Sequence, residues 1–186
     1  MPFEAHIEKI QSLEGFADQE FECCTFDSCD FSDADWRKIK FIDCSFKNCN
    51  LSNIRLDGSM FQNASFESCK MLGLRFDDCN TFNLSLSFDQ CHLQHSSFFK
   101  LSLAKTKFIQ CNLSGADFAE CDLKEATFGH SDLTDAIFDQ TQLEKANFKN
   151  AKNFTINPLN NGLKGARFTL PEAVQLLYPF GVHIEE

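Results

Sequence analysis

Large apolar residues recur at every fifth position over most of this chain. A first frame runs without a gap through 13 positions: Phe16, Phe21, Phe26, Phe31, Trp36, Phe41, Phe46, Leu51, Leu56, Phe61, Phe66, Met71 and Phe76. A second frame alternates Phe with Leu through 13 more: Phe88, Leu93, Phe98, Leu103, Phe108, Leu113, Phe118, Leu123, Phe128, Leu133, Phe138, Leu143 and Phe148. A period of five fits neither the 3.6 residues of a helical turn nor the two of a strand. The pattern therefore predicts a repeat protein rather than a set of ordinary amphipathic elements.

A small side chain stands two residues before most of these positions. Nine of the ten cysteines occupy this slot or a degraded form of it: Cys24, Cys29, Cys44, Cys49, Cys69, Cys79, Cys91, Cys111 and Cys121. Only Cys23 does not. We therefore expect two inward positions per repeat, with thiols packed as small apolar groups. Stacked cysteines such as Cys24 and Cys44 would also be spaced for a disulfide, although free thiols are favoured in a cytosolic protein.

The repeat unit resembles that of the pentapeptide-repeat family. Residues 116–120 (ADFAE) and 121–125 (CDLKE) match the family pattern of a small residue, Asn or Asp, Leu or Phe, and two polar residues. The resemblance covers about three quarters of the chain. It implies an all-β fold, a right-handed quadrilateral parallel β-helix in which each pentapeptide forms one side and four pentapeptides complete a coil.

Four sides per coil place every fourth pentapeptide above the same side. One predicted ladder consists of Phe88, Phe108, Phe128 and Phe148, and the opposite ladder consists of Phe98, Phe118 and Phe138. Leu fills the two remaining sides. The alternation of larger and smaller walls suits a close-packed core.

The two frames are out of step by two residues. Phe76 and Phe88 are 12 apart, so we predict a small bulge or loop within Asp77–Ser87, where Thr81 would be a poor core residue. The predicted organisation is an N-terminal cap (1–13), a first repeat stack (14–80), a register break (81–87), a second stack (88–154) and a C-terminal capping and dimerisation segment (155–186).

The N-terminal cap has apolar residues at roughly helical spacing, namely Phe3, Ile7, Ile10 and Leu13. This spacing suits a short segment that closes the first end of the solenoid.

The C-terminal segment begins with turn-forming residues and then changes character. Thr169 as N-cap, Pro171 and Glu172 predict a helix of one or two turns, and residues 178–184 alternate like a short strand. An open solenoid end needs a cover. Several members of the family dimerise through such a module, so the resemblance implies a homodimer. The candidate interface residues are Leu176, Leu177, Phe180, Val182 and Ile184.

The charge balance is strongly acidic, with a net charge of −10. Direct nucleic-acid binding is not expected, because phosphate contacts need an excess of Lys and Arg. Acidic residues cluster at 14–35 and at 117–144. We take as the candidate partner-binding surface Asp117, Glu120, Asp122, Glu125, Asp132, Asp135 and Asp139. An acidic shell also serves simply as a solubility device.

Sites for catalysis, cofactors or metal are not predicted. Every plausible nucleophile is accounted for by the repeat, and adjacent cysteines face different walls of a coil, so they would not converge on a metal. His92 and His95 are interpreted as a solvated pair. No apolar run is long enough to cross a bilayer, and the absence of a secretory signal favours a cytoplasmic location.

The combined features are similar to the quinolone-resistance and microcin-immunity branch of the family. That resemblance implies a non-catalytic protein that imitates a DNA segment, binds a type II topoisomerase (DNA gyrase or topoisomerase IV) and protects it from quinolone or microcin-type poisons. The chain lacks the long inserted loop of the plasmid-borne quinolone-resistance proteins. The alternative is a generic protein-interaction scaffold with an unrelated partner, because a fold does not fix a function.

Overall fold

The chain folds as a right-handed quadrilateral parallel β-helix, as a computed structural model describes it for residues 3–13 and 20–182. Within these ranges there are nine strands: β1 (His6–Glu8), β2 (Glu20–Glu22), β3 (Thr25–Asp27), β4 (Lys40–Ile42), β5 (Ser45–Lys47), β6 (Met60–Gln62), β7 (Ala64–Glu67), β8 (Leu86–Asp89) and β9 (Lys107–Ile109). Strands β1-β3-β5-β7-β8-β9 form one parallel sheet and β2-β4-β6 another. Phe26 pairs with Phe46, four pentapeptides further on, so four pentapeptides complete each coil. The predicted fold class is confirmed.

The four sides of the solenoid are named here A to D in chain order. Side A carries the core residues Phe21, Phe41, Phe61, Leu103, Leu123 and Leu143, and side B carries Phe26, Phe46, Phe66, Phe88, Phe108, Phe128, Phe148 and Phe168. Side C carries Phe31, Leu51, Met71, Leu93, Leu113 and Leu133, and side D carries Trp36, Leu56, Phe76, Phe98, Phe118 and Phe138. Apart from Phe168, which is half-buried, all of these residues are buried. Phe16, the first position of the first frame, lies outside the described residues.

The eight rings of side B form an unbroken stack. Their centroids are 4.8 to 5.3 Å apart from Phe26 to Phe168. On side D, Phe98 stacks on Phe118 at 5.0 Å. Edge-to-face contacts such as Phe88 to Phe98, at 6.0 Å, join the two walls, which is a favoured aromatic geometry. The two predicted Phe ladders are confirmed, and the side B ladder is longer than predicted.

Each coil turns its corners at the residue two after the core residue. This residue has a positive φ, for example 56° at Glu120 and 55° at Asp135. A left-handed conformation costs a non-glycine residue about 1–2 kcal/mol. The cost is tolerated because hydrogen bonds between coils, such as Glu120 N–H to the Asp139 carbonyl at 2.8 Å, hold the backbone on both sides of the corner.

The two extra residues of the register break lie on side A. Asn80 still pairs with Met60, but Ala64 pairs with Leu86, so the upper coil uses two residues more than the lower one over the same distance. A short 3₁₀ turn at Phe76–Asp78 precedes this bulge. Phe82 lies in the bulge with 68% of its surface exposed. The side B stack is not interrupted, because the additional residues are accommodated within side A.

The N-terminal segment is extended rather than helical. Ile7 lies in β1, is buried, and pairs with Phe26 at the base of side B. Its backbone therefore continues the solenoid ladder, while Phe3 is largely exposed. The roughly helical spacing of the apolar residues was misleading, because Ile7 alone among Phe3, Ile7, Ile10 and Leu13 enters the core as a buried residue.

The C-terminal segment ends in a 3₁₀ helix, Glu172–Phe180. The predicted N-cap is wrong, because Pro171 precedes the helix without a side-chain cap and the Thr169 hydroxyl instead accepts the Asn150 N–H at 3.1 Å. The predicted strand at 178–184 is wrong over Tyr178–Phe180, which belong to the helix. Residues 183–186 lie outside the described part of the chain. Within the described ranges, no helix has the length and apolar character needed to span a membrane.

Candidate partner-binding surface

The inward cysteines are part of the hydrogen-bonded wall of the solenoid. On side C, Cys49 Sγ lies 3.5 Å from the Phe26 carbonyl oxygen, and Cys69 Sγ lies 3.4 Å from that of Phe46. In each case the thiol donates to a core residue of the coil below. The same relation is seen for Cys44 with Phe21, Cys121 with Phe98 and Thr141 with Phe118. Where the inward slot holds Cys or Thr, the side chain can therefore donate a hydrogen bond to the coil below.

The buried thiols are poor nucleophiles. Burial raises the pKa of Cys44, Cys79 and Cys121 to about 12, which keeps them protonated near neutral pH. None of the ten cysteines is in a disulfide; nine of them are buried and Cys23 is exposed, as the repeat predicted. Among the residues that the structure describes, no group of His, Cys, Asp and Glu is arranged to hold a metal ion.

The seven candidate acidic residues do not share one face. Asp117, Glu120 and Asp139 lie on side D, Asp122 and Glu125 on side A, and Asp132 and Asp135 on side C. The sequence brings them close together along the chain, but each successive pentapeptide turns onto the next side. The candidate surface is therefore a belt around three sides of the upper solenoid.

Several of these carboxylates also stabilise turns. Asp117 Oδ1 accepts the Ala119 N–H at 2.9 Å, and Asp122 and Asp132 accept the N–H of the residue two further on, each at 3.1 Å. This local hydrogen bond is a typical use of Asp and Asn in turns. It explains the Asn or Asp of the repeat, and it means that these acids are not placed solely for a partner.

Among the seven candidate acids, Asp132 accepts the most side-chain hydrogen bonds. Burial acts to raise the pKa of Asp132, but hydrogen bonds from Thr134 and Asn153 outweigh it, so the pKa is lowered. The carboxylate is therefore ionised at neutral pH, and its Oδ1 accepts three hydrogen bonds within the protein.

Lysines surround the acids of side A. Lys124 Nζ lies 3.7 Å from Asp122 Oδ2, and Glu125 lies at a corner between Lys105 in the coil below and Lys145 in the coil above. On side D, Lys100 lies 3.4 Å from Glu120. Within the described residues, Asp117 and Asp139 make no ion pair within 4 Å. On side C, Asp132 and Asp135 likewise make no ion pair within 4 Å among the described residues. The negative charge of the belt that lacks an ion-pair partner therefore lies on sides C and D.

The lower half of side D has a different electrostatic character. Arg37 Nε donates to Asp35 at 2.8 Å, and Arg75 pairs with Asp77 and Asp78 at 2.9 and 3.2 Å. Arg37 holds the pKa of Asp35 down to about 2, mainly through this hydrogen bond. The lower half is a balanced ion-pair network, whereas the upper half has a surplus of acids.

An apolar surface lies at the C-terminal end. Leu177, Phe180 and Val182 are 40%, 54% and 41% exposed, and Tyr178 beside them is 61% exposed. Leu176, by contrast, is half-buried against the core. Ile184, the fifth candidate interface residue, lies outside the described residues.

Several exposed apolar residues were not singled out from the sequence. Phe82 projects from the bulge, Ile137 is 50% exposed on side D, and Leu159 is 65% exposed above it. Ile137 was detectable in principle, because it occupies the slot before a core residue, where the repeat prefers Asn or Asp.

Comparison with solved structures finds the same fold. A trypsin-treated variant of QnrB1, a plasmid-mediated fluoroquinolone resistance protein, matches with a TM-score of 0.58 and 18% identity over 99% of this chain and 97% of that chain. A second trypsin-treated variant gives 0.55 and 18% over the full length of both. HetL, involved in heterocyst differentiation regulation in the cyanobacterium Nostoc sp. strain PCC 7120, gives 0.45 and 15% over 89% of this chain and 84% of HetL.

A search among curated proteins gave no match. The family model of the pentapeptide repeat region matches residues 19–87 and 83–152, which together make up well over half of the chain. The five-residue period, the four-sided solenoid and this match agree, and the chain belongs to the pentapeptide-repeat family.

Proposed function

We propose that this protein is a non-catalytic DNA mimic that binds a type II topoisomerase, DNA gyrase or topoisomerase IV, and protects it from quinolone or microcin-type poisons. The observation that carries the proposal is an acidic solenoid whose fold matches QnrB1 along almost its full length. QnrB1 is a fluoroquinolone resistance protein, and the transfer of that role to this chain is part of the proposal.

The dimensions and charge support partial mimicry. Eight stacked rings on side B make seven steps of about 4.8 Å, or roughly 35 Å. Duplex DNA of that length carries on the order of 20 negative charges, and this chain has a net charge of −10. The rod therefore offers about half the charge of the duplex it would imitate, enough to attract a basic DNA-binding channel.

A supercoiling and cleavage assay tests the proposal. Purified protein is titrated against DNA gyrase and topoisomerase IV, with and without a fluoroquinolone or a microcin-type poison. We expect reduced cleavage complexes in the presence of poison, and a weaker effect at high salt because the attraction is electrostatic. Unchanged supercoiling and cleavage across a stoichiometric excess would reject the function.

The C-terminal apolar surface supports a homodimer. Leu177, Phe180 and Val182 form an exposed end that a monomer would leave in water, whereas a second copy related by a two-fold axis would cover it. Such a dimer would place two acidic rods end to end and double the length of the proposed mimic.

A scaffold for a partner other than a topoisomerase is the second candidate. Phe82 favours it, because a large exposed aromatic side chain on the side A bulge has no counterpart on a DNA backbone. A pull-down in which Phe82→Ser abolishes capture of a partner that is not a topoisomerase would support this function over the first.

A further inference from the structure

Ile137 interrupts an otherwise polar column on side D. The column passes through Ser97, Asp117 and Ile137, which are linked by successive parallel bridges. Ile137 stands in the slot where the repeat prefers a polar residue, and it is 50% exposed. A β-branched side chain in this exposed position adds nothing to the core, and its apolar surface is available to a partner.

Leu159 extends this apolar feature upward. Asn160, next to Leu159, donates to Asp139 Oδ1 at 3.3 Å, which places the turn that carries Leu159 above Asp139 on side D. Leu159 is 65% exposed. The small Ala119 lies in the same outward column below Asp139, since the Glu120 N–H bonds to the Asp139 carbonyl. Apolar and acidic side chains therefore alternate over this part of side D.

The charge around this feature is negative and poorly compensated. Asp117 and Asp139 flank Ile137 and Leu159 without an ion pair among the described residues, and Glu120 has only Lys100, at 3.4 Å. The acids of side A are surrounded by lysines instead, and side C has no large exposed apolar residue within the described ranges. Side D is thus where acidic and apolar features coincide.

We propose that the surface formed by Asp117, Ala119, Glu120, Ile137, Asp139 and Leu159, the side D patch, binds a basic segment of the partner protein that carries an aliphatic or aromatic side chain between its Lys or Arg residues. Charge complementarity selects the cationic part, and Ile137 with Leu159 selects the apolar part. The inference rests on the proposed function, in which the partner is a topoisomerase, and it assigns the docking side.

Binding of purified DNA gyrase holoenzyme to immobilised variants tests the assignment. Ile137→Asn restores the residue type that the repeat prefers, and Asp117→Asn with Asp139→Asn keeps oxygens for the turn hydrogen bonds. The matched control removes two charges from side A by Asp122→Asn with Glu125→Gln. We expect each side D change to weaken binding about tenfold, as residues at an interface centre do, and the side A change to weaken it by less than about threefold.

The possible outcomes distinguish the side D patch from the proposed topoisomerase function. If wild-type protein binds but the side A variant loses as much affinity as the side D variants, the patch is wrong and the topoisomerase function stands. If wild-type protein does not bind, both are overturned. A photo-crosslinking residue at position 137 gives a direct check: the captured gyrase peptide is expected to contain Lys or Arg beside an apolar residue, and a peptide without basic residues would overturn the patch.

Discussion

The hydroxyl of Ser131 accepts the N–H of Cys111, one coil below, at 3.0 Å. The same oxygen donates to the Phe108 carbonyl at 3.0 Å, so one buried side chain joins both ends of a turn. Asn161 repeats the arrangement with Thr141 and Phe138 through its two amide atoms. Polar side chains in the inward slot thus complete the backbone hydrogen bonding of neighbouring coils.

Replacement of Ser131 tests this role. Ser131→Ala leaves a buried N–H and a buried carbonyl without this partner, which we expect to lower the free energy of unfolding by about 1–3 kcal/mol. The free energy of unfolding is measured by urea denaturation, monitored by circular dichroism. The control, Ser102→Ala at an exposed position, is expected to change stability by less than about 0.5 kcal/mol. Equal effects of the two would contradict a bridging role.

The side B stack is expected to depend on ring volume. Phe108→Ala creates a cavity between two rings and is expected to cost about 3–5 kcal/mol. Phe108→Leu keeps most of the volume, and Leu is the core residue of sides A and C in the upper coils, so a cost of about 1.5 kcal/mol or less is expected. Thermal unfolding distinguishes them, and similar losses for both would argue against close packing at this position.

Thiol accessibility is expected to separate Cys23 from the other cysteines. Native protein at pH 8 should react with a thiol reagent at one site per chain, since the remaining nine thiols are buried and burial raises the pKa of members such as Cys44 to about 12. All ten should react in denaturant. Rapid modification of several thiols in the native state would mean that the coils open readily; a Cys23→Ser variant identifies the reactive site.

The Asp35–Arg37 pair is expected to contribute to acid stability. The pKa of Asp35 is lowered in the folded protein, from 3.8 to about 2. The contribution of the pair to folding stability is therefore fully present above about pH 4 and is lost as the pH falls through about 2. The slope of stability against pH between these values should be smaller in Asp35→Asn than in wild type, as measured by urea unfolding. An unchanged slope of stability against pH would indicate that the Asp35–Arg37 pair is broken in solution. Arg167→Gln, which changes the net charge by one elsewhere, is the control.

The proposed dimer is tested by sedimentation. Phe180→Ser and Leu177→Asp place polar groups on the exposed C-terminal end, and we expect both to convert a dimer into a monomer. Leu72→Ser, a half-buried position far from that end, is the control. A wild-type monomer at all concentrations tested would remove the dimer from the proposal.

The periodic part of the fold was predictable because each core slot repeats the same steric requirement. Phe88 and Phe108 can be assigned to one ladder from their spacing alone. The side on which each acid lies also follows from that spacing, but whether Asp117 is compensated depends on neighbours in the adjacent coils. The sequence also could not reveal that Pro171, rather than Thr169, precedes the terminal helix, because a single terminus has no repeat to check it against.

Ile137 was overlooked for a related reason. An isoleucine beside Phe138 is easily taken for a second core residue. In extended backbone, however, the side chains of adjacent residues point to opposite faces, so Ile137 faces outward when Phe138 faces inward. The exposure of Phe82 was equally hidden, because a two-residue slip indicates where an irregularity lies but not which side chain it turns outward.

The coil of four pentapeptides has a consequence for how such molecules change length. Because every side chain in the stack meets an equivalent one in the next coil, removing residues 109–128 would bring Phe108 beneath Phe148 and leave the Phe and Leu walls in register. The rod would shorten by one step of about 4.8 Å without a new type of contact. Length is thus a quantity that evolution or an engineer can set in whole coils, independently of the surface each coil displays.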